Sequence, residues 1–210
     1  DKLKQIESEP GSHFVAITDP GTPLEKLAAE RHFRATFNAP EEVGGRYAAL
    51  TVFGLVPAAL IGVDVGAVLA RAARMSEECA PTTAENHHPG LLLGAALGEL
   101  ALTKRDRVTF LCSPSLSALP SWIEQLIAES TGKDNKGIVP VANENLTAPE
   151  NYGGDRFFVY LRFDGDENHS LDRQVAAIEA NGHPVARLDL QDKSDLRQEF
   201  FRWEFAVAAA

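Results

Sequence analysis

The 210 residues are 44% apolar and carry 30 acidic against 20 basic side chains, a formal net charge of -10. A chain of this size and composition can bury one substantial core or two small α/β units, and with no run of Lys and Arg it offers no footprint for a nucleic-acid backbone. The acidic balance leaves anionic small ligands open, because helix N-termini and turn amides supply local positive potential.

Residues 13–18 read as an apolar strand that runs into a turn at Asp19, Pro20 and Gly21. Thr22 then fits a helix N-cap, with Pro23 at the first helical position and Glu25 three residues after the cap. A second short strand over 34–37 leads to Asn38, Pro40 and the glycine pair Gly44 and Gly45, after which residues 50–60 read as a buried element. From Asp64 onward Val65, Val68, Leu69 and Ala72 recur at helical spacing, with Arg71 and Arg74 off that face, and this stretch reads as a bridge between two units.

Asn86 or His88, followed by Pro89, opens an apolar helix through about Leu102. The charged turn at 105–107 precedes a strand over 108–111. Ser121 and Glu124 have capping-box spacing at the front of a helix that reaches Glu129, with Gly132 as its expected stop. Residues 138–141 are short and apolar, and 143–155, rich in Asn, Pro and Gly, reads as a loop. Strand over 157–163, helix over 171–180, strand over 184–190 and helix from 194 complete the chain. Strands alternating with helices imply an α/β fold whose parallel sheet is covered on both faces.

Cys79 and Cys112 stand alone in apolar settings, as expected of buried thiols in a reducing compartment. The longest apolar stretch, 50–61, is interrupted by Thr51, Gly54 and Pro57 and is too short to cross a bilayer; with nothing resembling a signal peptide, the cytoplasm is the default compartment. The chain opens on Asp1 and closes on an apolar run without a capping signal, so both ends are expected to be cut from something longer.

Two stretches carry chemistry. In the first, Gly44 and Gly45 precede Arg46 and Tyr47. Glycines allow close approach of backbone to a ligand, and the guanidinium offers planar, permanent positive charge for an oxyanion; taken alone, the stretch reads more simply as a tight turn with a surface arginine. In the second, Gln125 and Glu129 stand four apart and share one helix face, so an amide and a carboxylate project to the same place. Glu129 falls in the last helical turn, where the carbonyl end disfavours negative charge, and a carboxylate of raised pKa suits taking and returning a proton. A solvated Glu near a helix end is the plainer alternative.

Together the glycine pair with its arginine and aromatic, and the block Q-x-x-x-E-S-x-G-K over 125–133, resemble the two signatures of the glucose-6-phosphate isomerase family. Further resemblance lies in FVAITDPGTPLEKLA at 14–28, FGLVPAALIGVD at 53–64 and FLCSP at 110–114. The wording of IAESTGKDNKGIVPVANE at 127–144 and FFRWEFA at 200–206 is most similar to the isomerase half of bifunctional transaldolase and glucose-6-phosphate isomerase proteins. The resemblance implies sugar-isomerase (SIS) units, three-layer αβα sandwiches with a parallel sheet: the C-terminal part of a first unit over 1–60, a connecting helix over 61–87 and a second unit over 88–210, its C-terminus truncated. It implies interconversion of glucose 6-phosphate and fructose 6-phosphate through a cis-enediol(ate), with Glu129 as the base that moves the proton, Arg46 stabilising the intermediate, and Gly45 and Gln125 as substrate contacts. That chemistry requires no metal and no cofactor. A homodimer and a fused transaldolase domain are left open.

The chain also departs from the family. Ala48 replaces a Ser or Thr, and Thr131 replaces the Asn common in the second signature. The family's Ser/Thr-rich phosphate loop, its lysine-bearing C-terminal motif and the histidine that opens the sugar ring have no counterpart in these residues, so this chain alone is expected not to turn over substrate. His87 and His88 read as capping or surface residues, Lys133 as structural, and His169 and His183 fall in loops. The alternative in a different class is a non-catalytic SIS module that binds a sugar phosphate to regulate a partner. A nucleotide-binding domain lacks its glycine fingerprint after the first strand.

Overall fold

A computed structural model gives the structure of residues 9–134 and 136–210. The chain divides into two units, Asp1–Val65 and Gly66–Ala210; the first eight residues of the first unit lie outside the described part.

The first unit begins with β1 (Val15–Thr18), α1 (Pro23–Glu30) and β2 (Ala35–Asn38). The strands pair in parallel, Val15 opposite Ala35 and Thr18 opposite Asn38, which is what a helical crossover between them allows. The Thr22 hydroxyl accepts from the Glu25 amide at 3.3 Å, as its position predicts. The Glu25 carboxylate reaches one residue past the cap, accepting from the Gly21 amide at 2.6 Å, and its other oxygen accepts from Asn38 Nδ2 at 2.8 Å. One carboxylate thereby ties the front of α1 to the end of β2.

Residues 50–60 correct the sequence reading. They form α2 (Val52–Leu60), capped by Thr51, and bury no residue; Leu60 is 72% exposed and Ile61 82%. The run is apolar all round, the pattern of a helix enclosed by other elements, but it is covered only in part, with Val52, Leu55 and Val56 half-buried. Gly54 is required at its start, since a Cβ there would lie 2.1 Å from the Ala49 carbonyl oxygen.

In the second unit a four-stranded sheet runs in the order β4-β3-β5-β6, all parallel, with β3 at Arg107–Cys112, β4 at Val139–Val141, β5 at Arg156–Phe163 and β6 at Val185–Leu190. Helices α3 (Val65–Glu78), α4 (Pro89–Leu102), α5 (Leu119–Thr131), α6 (His169–Ala180) and α7 (Leu196–Ala209) accompany it. Central β5 buries five consecutive residues, Phe157 to Leu161, as a strand covered on both faces must. Alternation assigns the faces: Leu111, Phe158 and Tyr160 pack with Val175 and Ile178 of α6, whereas Phe110, the neighbour of Leu111, meets Trp203 of α7 edge-on at 5.7 Å. This is the parallel three-layer sandwich expected of an SIS-type fold.

Two capping expectations divide. His88 caps α4, its Nδ1 accepting from the Leu91 amide at 3.0 Å while its ring lies against Phe205. Ser121 does not cap α5. That helix begins at Leu119 with Pro120 in its first turn, a position where a missing N–H costs nothing, so Ser121 already lies inside it.

Glu199 is the group least expected in the core. It is 0% exposed, neither of its carboxylate oxygens has a hydrogen-bond partner among the described residues, and burial pushes its carboxyl up to about 7 against the pull of the Arg202 guanidinium 3.3 Å away. The folded state therefore holds the proton more tightly than an unfolded chain, whose carboxyl titrates near 4.5. The resulting stability is complete below the unfolded pKa and is lost as pH rises through the folded one. Glu199→Gln, uncharged throughout, is expected to gain in Tm on the parent between about pH 5 and about pH 8. Thermal unfolding of both proteins at the two pH values checks this; a difference that stays constant across the window would show Glu199 titrating as an ordinary carboxyl.

Candidate active site

The α5 helix places the polar pair. Leu119, Ile123, Leu126 and Ile127 face the core, which turns Gln125 and Glu129 to the exposed side. Gln125 Nε2 donates to Glu129 Oε1 at 3.1 Å, so the i, i+4 spacing does bring amide and carboxylate together. The contact helps orient the carboxylate on an exposed face of α5.

Topology fixes which end of the sheet this is. In a parallel sheet the crossover helix runs opposite to the strands, so the last turn of α5, with Glu129, lies toward the amino ends of β3 and β4. The usual ligand crevice of open α/β sheets is at the other end, outside the carboxyl ends of two neighbouring strands whose connections leave in opposite directions; here these are β3 and β5. Side-chain hydrogen bonds knit the strand ends together there, beside a small cavity lined by Ser115, Leu116, Phe163, Leu190, Asp192 and Leu196. Ser113 Oγ donates to Asn168 Oδ1 at 2.7 Å and accepts from the Phe163 amide at 2.8 Å, and Asn168 Nδ2 donates to the Phe163 carbonyl at 2.7 Å. Outside them, the Ser115 amide and hydroxyl both donate to Asp166 at 2.7 Å, holding its carboxyl below the usual range.

Gly45 and Arg46 belong to the first unit, in a single 3-10 turn, Gly45–Tyr47, that follows Gly44. The guanidinium carbon lies 5.5 Å from the centroid of the Tyr47 ring, a cation–π distance. Gly44 has φ of -63°, and a Cβ on Gly45 would meet nothing within 4 Å. Among the described residues, neither the backbone nor the packing demands glycine there. Ala48, the first departure noted above, is buried at 5% exposure, a packing residue.

The two histidines of the second unit that the sequence placed in loops differ. His183 is 8% exposed, with Nε2 3.3 Å from the Pro149 carbonyl oxygen and its ring edge-on to Phe158 and Tyr152. His169 is exposed at the front of α6. Lys133 joins Lys136 through the main chain in the turn after α5, its carbonyl accepting from the Lys136 amide at 2.9 Å. Among the described residues no three His, Cys, Asp or Glu side chains are grouped to hold a metal ion, and no helix is long and apolar enough to cross a membrane. Glu199, buried in α7, and the hydrogen bonds of Thr131 were not singled out by sequence; neither has a pattern that marks it.

No sequence-family model matches the chain. A glucose-6-phosphate isomerase from Rubrobacter xylanophilus is 36% identical over 173 residues, which are 81% of this chain and 37% of that protein. The glucose-6-phosphate isomerase of Symbiobacterium thermophilum is 37% identical over 132 residues, 61% of this chain and 29% of the relative, and that of Parabacteroides distasonis is 29% identical over 199 residues, 92% and 42%. The chain thus spans less than half the length of these relatives. Among solved structures, a hypothetical protein from Thermus thermophilus superimposes with a TM-score of 0.76 at 22% identity, over 98% of this chain and 59% of that one. A glucose-6-phosphate isomerase like protein from the same organism gives 0.56 at 14% identity, over 93% and 72%. At these identities the two structures speak to the fold.

Proposed function

Because the chain belongs to the glucose-6-phosphate isomerase family, we propose that it is part of an aldose–ketose isomerase that interconverts glucose 6-phosphate and fructose 6-phosphate through a cis-enediol(ate). The observation that carries this reading is the Gln125–Glu129 pair on the accessible face of α5. Proton abstraction beside a carbonyl needs a carboxylate held in one orientation and a fixed positive group where oxyanion charge develops. Glu129 takes the C2 proton of the open-chain aldose and returns it to C1, Gln125 orients that carboxylate and touches the sugar, and Arg46 stabilises the enediolate oxygen. Gly45 lets the backbone beside Arg46 approach the substrate.

On this reading residues 1–60 close a first SIS unit, 61–87 connect, and 88–210 form most of a second. The share of the relatives' length that the chain covers, 37% in the first case, supports its being a piece of a longer enzyme, with the phosphate loop and the lysine motif elsewhere. The full-length protein is accordingly expected to convert fructose 6-phosphate, and Arg46→Lys in it to lower kcat by about tenfold or more, since lysine keeps the charge but loses the planar fork. Steady-state kinetics in both directions test this. Unchanged kinetics would remove Arg46 from the site, and a full-length protein that binds the sugar phosphate without converting it would overturn the enzyme reading.

A further inference from the structure

We infer that the Thr131 hydroxyl positions Glu129 for proton transfer, by tying the last turn of α5 to Ile138, the residue that leads into β4; this rests on the proposal that Glu129 is the base.

Thr131 Oγ1 donates to the Ile127 carbonyl at 2.9 Å and accepts from the Ile138 amide at 2.9 Å. The pair Ile127 and Thr131 brackets Glu129 within one helical turn. Ile138 is buried at 6% exposure, and the next residue, Val139, donates from its amide to the Asp106 carbonyl at 2.7 Å, where β4 joins β3. A continuous path of short bonds therefore runs from the turn that carries Glu129 through one hydroxyl into the sheet. The backbone between is built for that closeness. A Cβ on Gly132 would lie 2.6 Å from the Ala128 carbonyl oxygen, and Gly137, at φ of +142°, has no room for one, with the Gly132 Cα at 2.9 Å and the Thr131 carbonyl oxygen at 3.0 Å. Helix ends carry carbonyls without helical partners and fray when nothing holds them. Without its hydroxyl, residue 131 would leave the buried Ile138 amide without this acceptor and the last turn held only by its own main chain, the Gly132 amide on the Ala128 carbonyl at 3.0 Å. A base displaced by about 1 Å can lose as much as about 10²-fold in rate while binding persists, so the effect belongs in kcat.

The test uses the full-length protein with Thr131→Val, nearly isosteric without the hydroxyl, Thr131→Ser, which restores it, and Glu129→Gln beside them. At a temperature where circular dichroism shows each variant folded, Thr131→Val is expected to lower kcat about tenfold with KM within about twofold of the parent, and Thr131→Ser to stay within about twofold of parental kcat. A hydroxyl with a purely structural role would lower the Tm of Thr131→Val and leave its kcat unchanged, and that result overturns the inference. So does a Ser variant as slow as the Val variant. If Thr131→Val does not fold, Thr131→Ala against Thr131→Ser makes the same comparison, since both lack the methyl and differ only in the hydroxyl. If Glu129→Gln turns over normally, the base assignment fails and this inference with it; if Glu129→Gln is inactive while Thr131→Val runs at parental rate, this inference alone fails.

Discussion

Glu129→Gln in the full-length protein is expected to lower kcat by about 10²-fold or more, the scale of a lost general base, while affinity for a sugar phosphate is largely kept. The amide is close in shape to the carboxylate and the side chain is exposed on α5, so no core packing is lost. Its hydrogen bond is also kept in kind, because Gln125 Nε2, which donates to Glu129 Oε1 at 3.1 Å, can donate to the new amide oxygen. What disappears is the lone pair of an anion able to accept the C2 proton. Exchange of the C2 hydrogen of glucose 6-phosphate with deuterated water measures that step directly, and binding of a nonreactive analogue reports the intact site. A variant that binds the analogue and still exchanges near the parental rate would show that another group is the base. If binding and exchange vanish together, Glu129→Asp decides: a carboxylate withdrawn by one methylene should bind and retain measurable exchange, and an Asp variant that binds without any exchange counts against acid–base chemistry from this position.

The parts of the fold and site that sequence predicts are those governed by local chemistry. Pro89 after a capping His88 and the apolar spacing behind it predict a helix to about Leu102, and α4 is Pro89–Leu102. The four-residue spacing of Gln125 and Glu129 predicts a shared face, and a hydrogen bond joins them there. Where the reading went astray, a long-range partner decided the outcome. The apolar run over 50–60 announces burial, but burial depends on what else is present to cover it, and α2 buries no residue. The Thr131 to Ile138 bond depends on a loop returning to the helix it left, which neither residue type signals. Glu199 lies on the buried stripe of α7 with Trp203, Ala206 and Val207, a place where carboxylates are rare. The Ser121 reading had a local remedy: Pro120, just before it, already marks the first turn of α5.

Gly94→Ala is expected to destabilise the second unit by about 2 kcal/mol, although alanine is the better helix former by about 1 kcal/mol. Gly90, Gly94 and Gly98 recur every fourth residue along α4, where it packs against α7. The three positions are unequal. A Cβ on Gly90 would lie 2.6 Å from Cδ1 of the Phe205 ring, which can turn; one on Gly98 would lie 3.0 Å from the Ala210 carbonyl oxygen, at the end of α7. At Gly94 the obstacles are the Ala206 carbonyl oxygen at 2.6 Å, the Ala209 Cβ at 2.9 Å and the Ala206 Cα at 3.3 Å. Backbone cannot rotate aside, so α7 itself must retreat. That movement would loosen Trp203 from Phe110 in the core and Phe200 from Trp122, whose rings meet at 5.1 Å between α7 and α5. Overpacking of this kind costs about 1–3 kcal/mol, and a clash with main chain belongs at the upper end, which outweighs the gain in propensity. Gly98→Ala supplies the control, with the same propensity gain and a milder contact, and is expected to be neutral or slightly stabilising. Denaturant unfolding of the two variants against the parent measures the difference; a Gly94→Ala protein as stable as Gly98→Ala would mean that α4 and α7 do not approach through these glycines. Trp122, which meets Phe200, stands three and seven residues before Gln125 and Glu129 and so on the same side of α5; the retreat of α7 should therefore also lower turnover in the full-length protein, which the same variant can be used to measure.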